Sequence, residues 1–595
     1  MTIPLPQLTL LWRPGGSLSL AGDQEFVEGA LAAKNFHPRP VSVQSGRRTA
    51  IVVGSAILGD IIDPEGAGKL ILSAKNVGEA AATINGQFLI FLNDPDAGAL
   101  SIISDRHTGI PFYYASVENG IAGAFLYSDL VRYLRRSGSL SFVPEHLFEF
   151  LWLQRLLMDK THDSRSRFLP AATILTIDAK GSRQERYWRP NFTKNHARNS
   201  RASGHELAER LRHSMARRTS DHKRYGLFLS GGHDSRTILA AMSAAPECFT
   251  VGYSDNYEVG CARELARLSG APFHFLKLPQ DHLHRVADAA AKLCGGLYSI
   301  DHALFLGHDR DVSQHADVVF HGHGIDYMYQ GMYLPARNVA IAGRPTFFRQ
   351  LSTYPGDLAS AFNNGISFRL KYVDLMSFIR PEWRTRLSDH LQASAQSVIT
   401  DSADVAQSDA DRWEYFLIHA LGRHFSWPNI GSKMIGVEQR TPSFDNDLFD
   451  FYLSLPPEQR VTAAALRRAQ IELNRKMAMV PTGNWGIPAA YSPASKTAWL
   501  VARKALRHLT GISTLRGPQA QDRTWPDRDV HLTSEAGWRG RVTAALQDEE
   551  LESTLSFLDW PSLREKAKQW LDQPSGGASL LVELLSLQLF LKATR

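Results

Sequence analysis

The chain has 595 residues, 44% hydrophobic and 21% charged, with 66 basic against 60 acidic side chains, a net charge of +6 and a pI near 9.0. This composition excludes a disordered tail or a fibre and supplies apolar material for about two to four domain cores. The basic excess is too small and too evenly spread for a dedicated nucleic-acid binder, and the densest basic run, 207–224, reads as the solvated face of an amphipathic helix.

The opening MTIPLPQLTLLWRPGG lacks a basic n-region and is broken by prolines, so no signal peptide is expected. Short apolar runs then follow one another up to about residue 190: AIVVG, KLILSA, FLIFLND, ALSIISD, PFYYA, AFLYS and ATILTID. Separated by turn residues, they predict an antiparallel sheet domain, with one helix over 144–157 covering a sheet face. The polar stretch TKNHARNSRASG, 193–204, has no periodic apolar residues and marks a linker, which divides the chain into units 1–195 and 196–595.

Beyond the linker the rhythm becomes strand then helix: YGLFLS and DSRTILAAMSA, CFTVGY and EVGCARELARLSG, PFHFLKL and DHLHRVADAAAKLCG, then ADVVFHG. Such alternation specifies an α/β unit with a doubly wound parallel sheet, whose ligands sit at the carboxyl ends of the strands. From about residue 355 the pattern is mainly helical. The C-terminal ASLLVELLSLQLFLK is too short for a membrane span and carries Glu583. Three cysteines, Cys248, Cys261 and Cys294, form no C-x-x-C pair, which argues against a disulfide framework or thiolate metal site and fits a reducing cytoplasm.

Most chemistry-bearing is YGLFLSGGHDSRTILAAM, 225–242. Its two glycines, Gly231 and Gly232, free backbone N–H groups between a strand and a helix N-terminus, which suits an anion such as phosphate. The lysine of G-x-x-x-x-G-K-[ST] is absent. Instead Asp234 stands beside Ser230 and Ser235, and a carboxylate next to phosphate calls for a cation between them, namely magnesium. The same residues also fit a plain Gly-Gly turn with Asp234 and Ser235 as helix caps.

The string SGGHDS resembles the pyrophosphate loop of the ATP pyrophosphatases, the S-G-G-x-D-S type of the asparagine synthetases. The resemblance implies ATP cleaved between its α and β phosphates, an adenine gripped at Val251, Gly252 and Tyr253, and an adenine nucleotide α-hydrolase fold. VVFHGHGIDYMYQG, 318–331, is similar to that family's G-x-G-x-D turn, which places Gly322 at the nucleotide and Asp326 with Asp234 on magnesium. GVEQRTPSFDNDLFDFYLSLPP, 436–457, resembles the segment lining the acceptor side, with Glu438 a candidate catalytic residue; an internal Glu438–Arg440 salt bridge is the structural alternative.

The first unit resembles the class II glutamine amidotransferase half of asparagine synthetases through ISDRHTGIPFYY, FLYSDL, FLPAATILTID and RYWRP, which implies a β-sandwich. A working glutaminase of that class uses an N-terminal cysteine. Here Thr2 stands at that position and no cysteine precedes Cys248, so glutamine hydrolysis is not expected.

β-Lactam synthetases and lasso peptide cyclases share that loss. Long aromatic, arginine- and proline-rich material between Asp326 and Glu438 suits a peptide lid, or an added decoration without a substrate role. His323, three residues before Asp326, occupies the position of a catalytic tyrosine or glutamate in the resembling families; an imidazole near its ordinary pKa would take the proton of an attacking amine there, while a solvated turn histidine is the bland reading. The family's phosphate-steadying lysine has no counterpart in 480–492, which Lys476 and Lys496 flank. The expectation is an ATP- and magnesium-dependent ligase resembling lasso peptide cyclases, acting on a precursor peptide after a leader peptidase and its recognition protein. Alternatives are a small-molecule amide synthetase of the β-lactam or asparagine type and a non-catalytic nucleotide-binding scaffold.

Overall fold

The computed structural model describes residues 3–22, 24–118, 120–138, 140–341, 343–365, 373–421, 427–510, 527–573 and 575–595. Thr2 therefore lies outside the described residues.

Strand Arg48–Leu58 is apolar on both faces, so both must be covered. Ile51 and Val53 pack with Leu89 and Phe91 against Leu8, Leu10 and Leu31 of a second sheet, while Ala50, Val52 and Ala56 meet Ala67 and Ile71 of a helix. The result is two stacked sheets with helical cover. One sheet runs 166–168, 113–117, 120–124, 7–12, 30–34, 19–21; the other has Arg48–Leu58 and Asn85–Asp94 near its centre. Pairing is antiparallel except between Ser19–Ala21 and Ala30–Lys34, which run parallel.

Two expected strands differ. KLILSA lies in helix Pro64–Ser73, because Asp63 accepts from Gly66 N at 2.7 Å and Pro64 begins the first turn, and these start signals override a β-like composition. AFLYS is split between the end of strand Gly120–Ala124 and the start of helix Tyr127–Arg136. The linker is shorter than expected, since Asn199 caps helix Ser200–Arg218 by accepting from Arg201 N and Ala202 N.

The parallel sheet has five strands in the order Phe273–Lys277, Glu247–Gly252, Tyr225–Phe228, Val318–Phe320, Glu438–Arg440. Chain order is thus 3-2-1-4-5, and the direction of winding reverses between Tyr225–Phe228 and Val318–Phe320. Sheets of this kind open a crevice at that switch, outside the carboxyl ends of the two strands. The fifth strand was not anticipated: three residues are too few to show a period.

Material between Asp326 and Glu438 forms an antiparallel hairpin, Ala336–Ile341 with Arg344–Leu351, and helices that include Pro381–Asp401 and Asp409–Leu421. Helix Ala578–Ala593 is buried on all sides and packs against His282–Cys294. Among the described residues no helix is long and apolar enough to cross a membrane, and the three cysteines are buried and unbridged.

The first and second units interlock through polar groups. Asn85 Nδ2 donates to Asp445 Oδ2 at 3.1 Å, and Thr441 N donates to Gln87 Oε1 at 2.5 Å. Glu149, fully buried, accepts from Lys160, His390 and Ser394, each at 2.8 Å.

Candidate active site

Between strand Tyr225–Phe228 and helix Asp234–Ala241, the loop is shaped by its own hydroxyls: Ser230 N donates to Ser235 Oγ at 2.9 Å and Gly232 N to Ser230 Oγ at 3.2 Å. Gly231 is closely packed, since a Cβ there would crowd Glu258 and Cys261 at 3.0–3.2 Å.

Behind the loop sits Arg236, a residue that sequence reasoning missed. The residue is 1% exposed, and its guanidinium donates to five carbonyls: Gly232 O at 2.7 Å, Gly231 O at 2.9 Å, Val480 O at 2.6 Å, Pro481 O at 3.0 Å and Met477 O at 3.2 Å. In a trans peptide the C=O and following N–H point opposite ways, so holding the Gly231 and Gly232 carbonyls behind turns the Gly232 and His233 amides to the other side, beside the positive end of the helix. Burial lowers Arg236 to about 10, leaving it charged at neutral pH. The clamp also ties 477–481 to the loop, as does Gly483 N donating to Gly231 O at 3.0 Å.

Asp234 opens the helix at the end of the first strand, and Asp326 lies just beyond Val318–Phe320, across the switch in winding. Gly322 lets the two turns touch: a Cβ there would stand 2.5–2.6 Å from Ser235 N and Asp234. Burial raises Asp234 well above the ordinary carboxyl range, and the charge of Asp326 adds to this, while Gln330 Nε2, donating at 2.7 Å, works the other way. Burial likewise raises Asp326, opposed by the Tyr327 amide. Among the described residues neither carboxylate has an ion-pair partner. Two hard oxygen donors of like charge, held together and unneutralised, fit a divalent cation such as magnesium.

Val251 and Gly252 end the adjoining strand in an apolar layer with Phe228, Leu278 and Phe305. Tyr253 follows, and among the described residues its buried hydroxyl has no hydrogen-bond partner, nor has the buried Asn256 Nδ2. Apolar side chains beside unsatisfied donors are the chemistry that suits a purine and its sugar. Asn256 was not singled out from the sequence; its Oδ1 caps the helix by accepting from Val259 N at 3.1 Å.

His323 stands in the turn before Asp326, with Ser443 donating to its carbonyl and its amide donating to His321 Nδ1 at 3.2 Å. Burial, then the charge of Lys433, pushes His323 down to about 3, in place of the ordinary pKa expected from sequence. The imidazole is therefore neutral throughout the physiological range. Lys433 is buried and caps onto Asn429, with its ammonium 3.6 Å from the centre of the Phe305 ring and 5.4 Å from that of Phe228. Its pKa is driven far down by burial, and no acid pairs with it among the described residues.

Glu438 is not brought to His323. Its strand pairs Glu438 with Val318, at the start of Val318–Phe320, and its carboxylate bonds Arg440 Nε at 2.5 Å and Lys223 Nζ at 2.9 Å, while Arg440 reaches Asp221 at 2.6 Å. This is the internal salt-bridge arrangement. The neighbours on the site side are Gln439, 2.6 Å from His321 Nε2, and Thr441. Of the two flanking lysines, Lys496 lies within electrostatic reach of His233 and Arg236 at the loop; its pKa is lowered by burial and then by Arg467 and Arg236.

Residues 206–478, just under half of the chain, match the family model described as asparagine synthase, so this region is asparagine synthase-like. The matched stretch holds the loop, both acids, His323, Lys433 and the fifth strand. No curated protein matches the chain. Among solved structures, the chain is similar to the allosteric regulatory enzyme of purine biosynthesis at 10% identity, covering 41% of this chain and 63% of that one with a TM-score of 0.19. It is also similar to the glutamine phosphoribosylpyrophosphate amidotransferase from B. subtilis complexed with ADP and GMP, at 12% identity, covering 40% and 48% with a TM-score of 0.18. The chain spans less than two thirds of either structure, and at these TM-scores neither similarity bears on the site.

Proposed function

We propose that this protein is an AMP-forming, ATP-dependent amide ligase that activates an Asp or Glu side chain of a leaderless precursor peptide and closes it on the peptide's N-terminal amine, in the manner of a lasso peptide cyclase. The observation that carries the reading is the pair Asp234 and Asp326, within electrostatic reach of one another across the switch in winding, beside a loop whose carbonyls are held back by Arg236.

In this reading Ser230, Gly231, Gly232 and Ser235 cradle the departing pyrophosphate with backbone and hydroxyl donors, and Gly322 permits the close approach of the second turn. Val251, Gly252 and Tyr253 hold the adenine. Asp234 and Asp326 hold magnesium, which when bound neutralises charge developing on the phosphates. Lys433, whose pKa burial drives far down, is a buried amine near His321 and His323 that takes up a proton once an anionic group is delivered beside it by substrate. His323, neutral and buried, accepts the amine proton during attack once negative charge at the site raises its basicity. Glu438, engaged by Arg440 and Lys223, is given no step.

A peptide acceptor is favoured by the rim. Met332, Ile341, Phe348, Trp485 and Trp499 are exposed there, Phe347 packs edge-on to Trp485 at 5.2 Å, and Arg349 of the hairpin donates to the Gln330 carbonyl at 3.3 Å. Apolar side chains clustered on an element wired to Asp234 suit an extended acceptor more than free aspartate and ammonia. A leader peptidase and its recognition protein would supply the free amine.

The test is pyrophosphate release from ATP and magnesium with candidate leaderless peptides, with aspartate plus ammonia, and with no acceptor. Release together with a product lighter by one water, only with a peptide bearing a free N-terminus, supports the cyclase. Release with aspartate would assign a small-molecule synthetase, and nucleotide binding without release in every arm would assign a scaffold.

A further inference from the structure

We propose that Glu247, His274 and His315 form a second metal site, for zinc or a similar transition-metal ion, at the amino-terminal edge of the parallel sheet. Their ligating atoms all lie within 4.8 Å of one another. Glu247 is the first residue of Glu247–Gly252, so the site lies at the end of that strand opposite Gly252.

The three donors come from segments far apart in the chain. His274 lies in the adjoining strand, where its register partner is Phe249, two residues after Glu247 and on the same face. His315 comes from the segment between helix Asp309–Ser313 and strand Val318–Phe320. The His274 ring is fixed from two sides, stacked on Phe249 at 5.2 Å and lying 4.3 Å from the His315 ring, while its Nε2 points at Glu247 Oε2 across 2.6 Å.

A carboxylate and a histidine are sufficient for an ion pair. What such a pair leaves unexplained is the third group: His315 is exposed, yet it lies against another imidazole rather than turning into water. Two imidazoles and one carboxylate form a three-ligand zinc set with a position left for water, and imidazole donors disfavour magnesium. Bonds of about 2.0–2.2 Å to a tetrahedral ion place donors ~3.4 Å apart. The Glu247–His274 pair would open by under ~1 Å, and the exposed His315 would close by up to ~1.4 Å. With the proton on Nδ1, His274 presents its Nε2 lone pair to the ion. The consequence is structural: an ion there links two strands and the entry to a third, on the far side of the sheet from Asp234 and Asp326, independently of the proposed ligase chemistry.

The test uses the full-length protein stripped with chelator and titrated with Zn²⁺ and Co²⁺, read by calorimetry, by the visible bands of bound Co²⁺ and by the Tm. The expected result is one ion per chain, a raised Tm, and no displacement by excess Mg²⁺. His315→Asn, with unchanged circular dichroism, should weaken binding by at least about 100-fold, beyond the loss an outer partner causes. Glu247→Gln, which keeps a hydrogen-bonding group beside His274, should weaken it as well. Binding unchanged in both variants, displacement by Mg²⁺, or no binding at micromolar metal would overturn the site.

Discussion

Gln330 donates its side-chain amide to Asp234 Oδ1 across 2.7 Å while its own carbonyl accepts from Arg349 of the hairpin at 3.3 Å. The residue thus orients Asp234, one of the two acids assigned to magnesium, and couples it to the element that rims the site. Gln330→Leu should weaken the apparent affinity for magnesium by about 10- to 100-fold, as loss of a partner orienting a metal ligand does. Magnesium titrations of pyrophosphate release check it, and an unchanged magnesium dependence would count against the assignment of Asp234.

Asp234→Asn and Asp326→Asn should each lower pyrophosphate release by about 100-fold or more, about 2.7 kcal/mol in the barrier, without unfolding the chain. Removing one of two crowded carboxylates also relieves repulsion, so thermal stability without magnesium should hold or rise. Because both carboxyls are held above their ordinary range, magnesium binds against protons. Apparent magnesium affinity should therefore increase as pH rises and Asp234 and Asp326 ionise, which isothermal titration at several pH values measures.

Arg236→Met leaves five carbonyls without their buried donor and removes the clamp between the loop and 477–481. Losing one side of a charged, buried network costs about 3–5 kcal/mol, read as a shift in urea midpoint. Pyrophosphate release should fall with it. A variant of full stability with a working loop would show that the clamp is incidental.

Glu149 joins the two units. Burial alone would raise its carboxyl, but Lys160 and His390 outweigh that and hold it at about 2, below the usual 4.5. A depressed acid contributes stability above its unfolded pKa and loses it as the folded pKa is approached, so the contribution should vanish as pH falls from about 4.5 to about 2. The shift corresponds to about 3 kcal/mol. Glu149→Gln should lower stability at pH 7 and flatten the acid limb of a stability-versus-pH curve measured by denaturant unfolding.

Lys433→Met removes a buried amine that has no acidic partner among the described residues. Replacing it with an apolar chain of similar length should raise stability by about 1 kcal/mol or more, since its desolvation is uncompensated. His321 and His323 should titrate at higher pH without the neighbouring charge, visible in their imidazole NMR signals. A fall in pyrophosphate release alongside a gain in stability would mark a residue retained for chemistry.

The loop Ser230 to Ser235, the two acids and the alternation of strands and helices from 225 to 320 were legible because each is encoded locally. Gly-Gly between an apolar strand and a helical pattern sets a turn whatever surrounds it, and a period of two or of 3.6 announces its element. What was not legible depended on partners remote in the chain. KLILSA reads as a strand until Asp63 and Pro64 start a helix, and Arg236 is an ordinary helix residue until 477–481 arrive beside it. Glu438 and His323 belong to neighbouring motifs, yet register against Val318 sends Glu438 to the opposite end of its strand, into a network with Arg440 and Lys223. The sequence by itself determined the turns that present Ser230, Asp234 and Asp326 at the ends of their strands. Only tertiary structure decided which stand together, how far burial moves their protons, and that His323 is held neutral, because desolvation and charge depend on groups that folding brings close from anywhere along the chain.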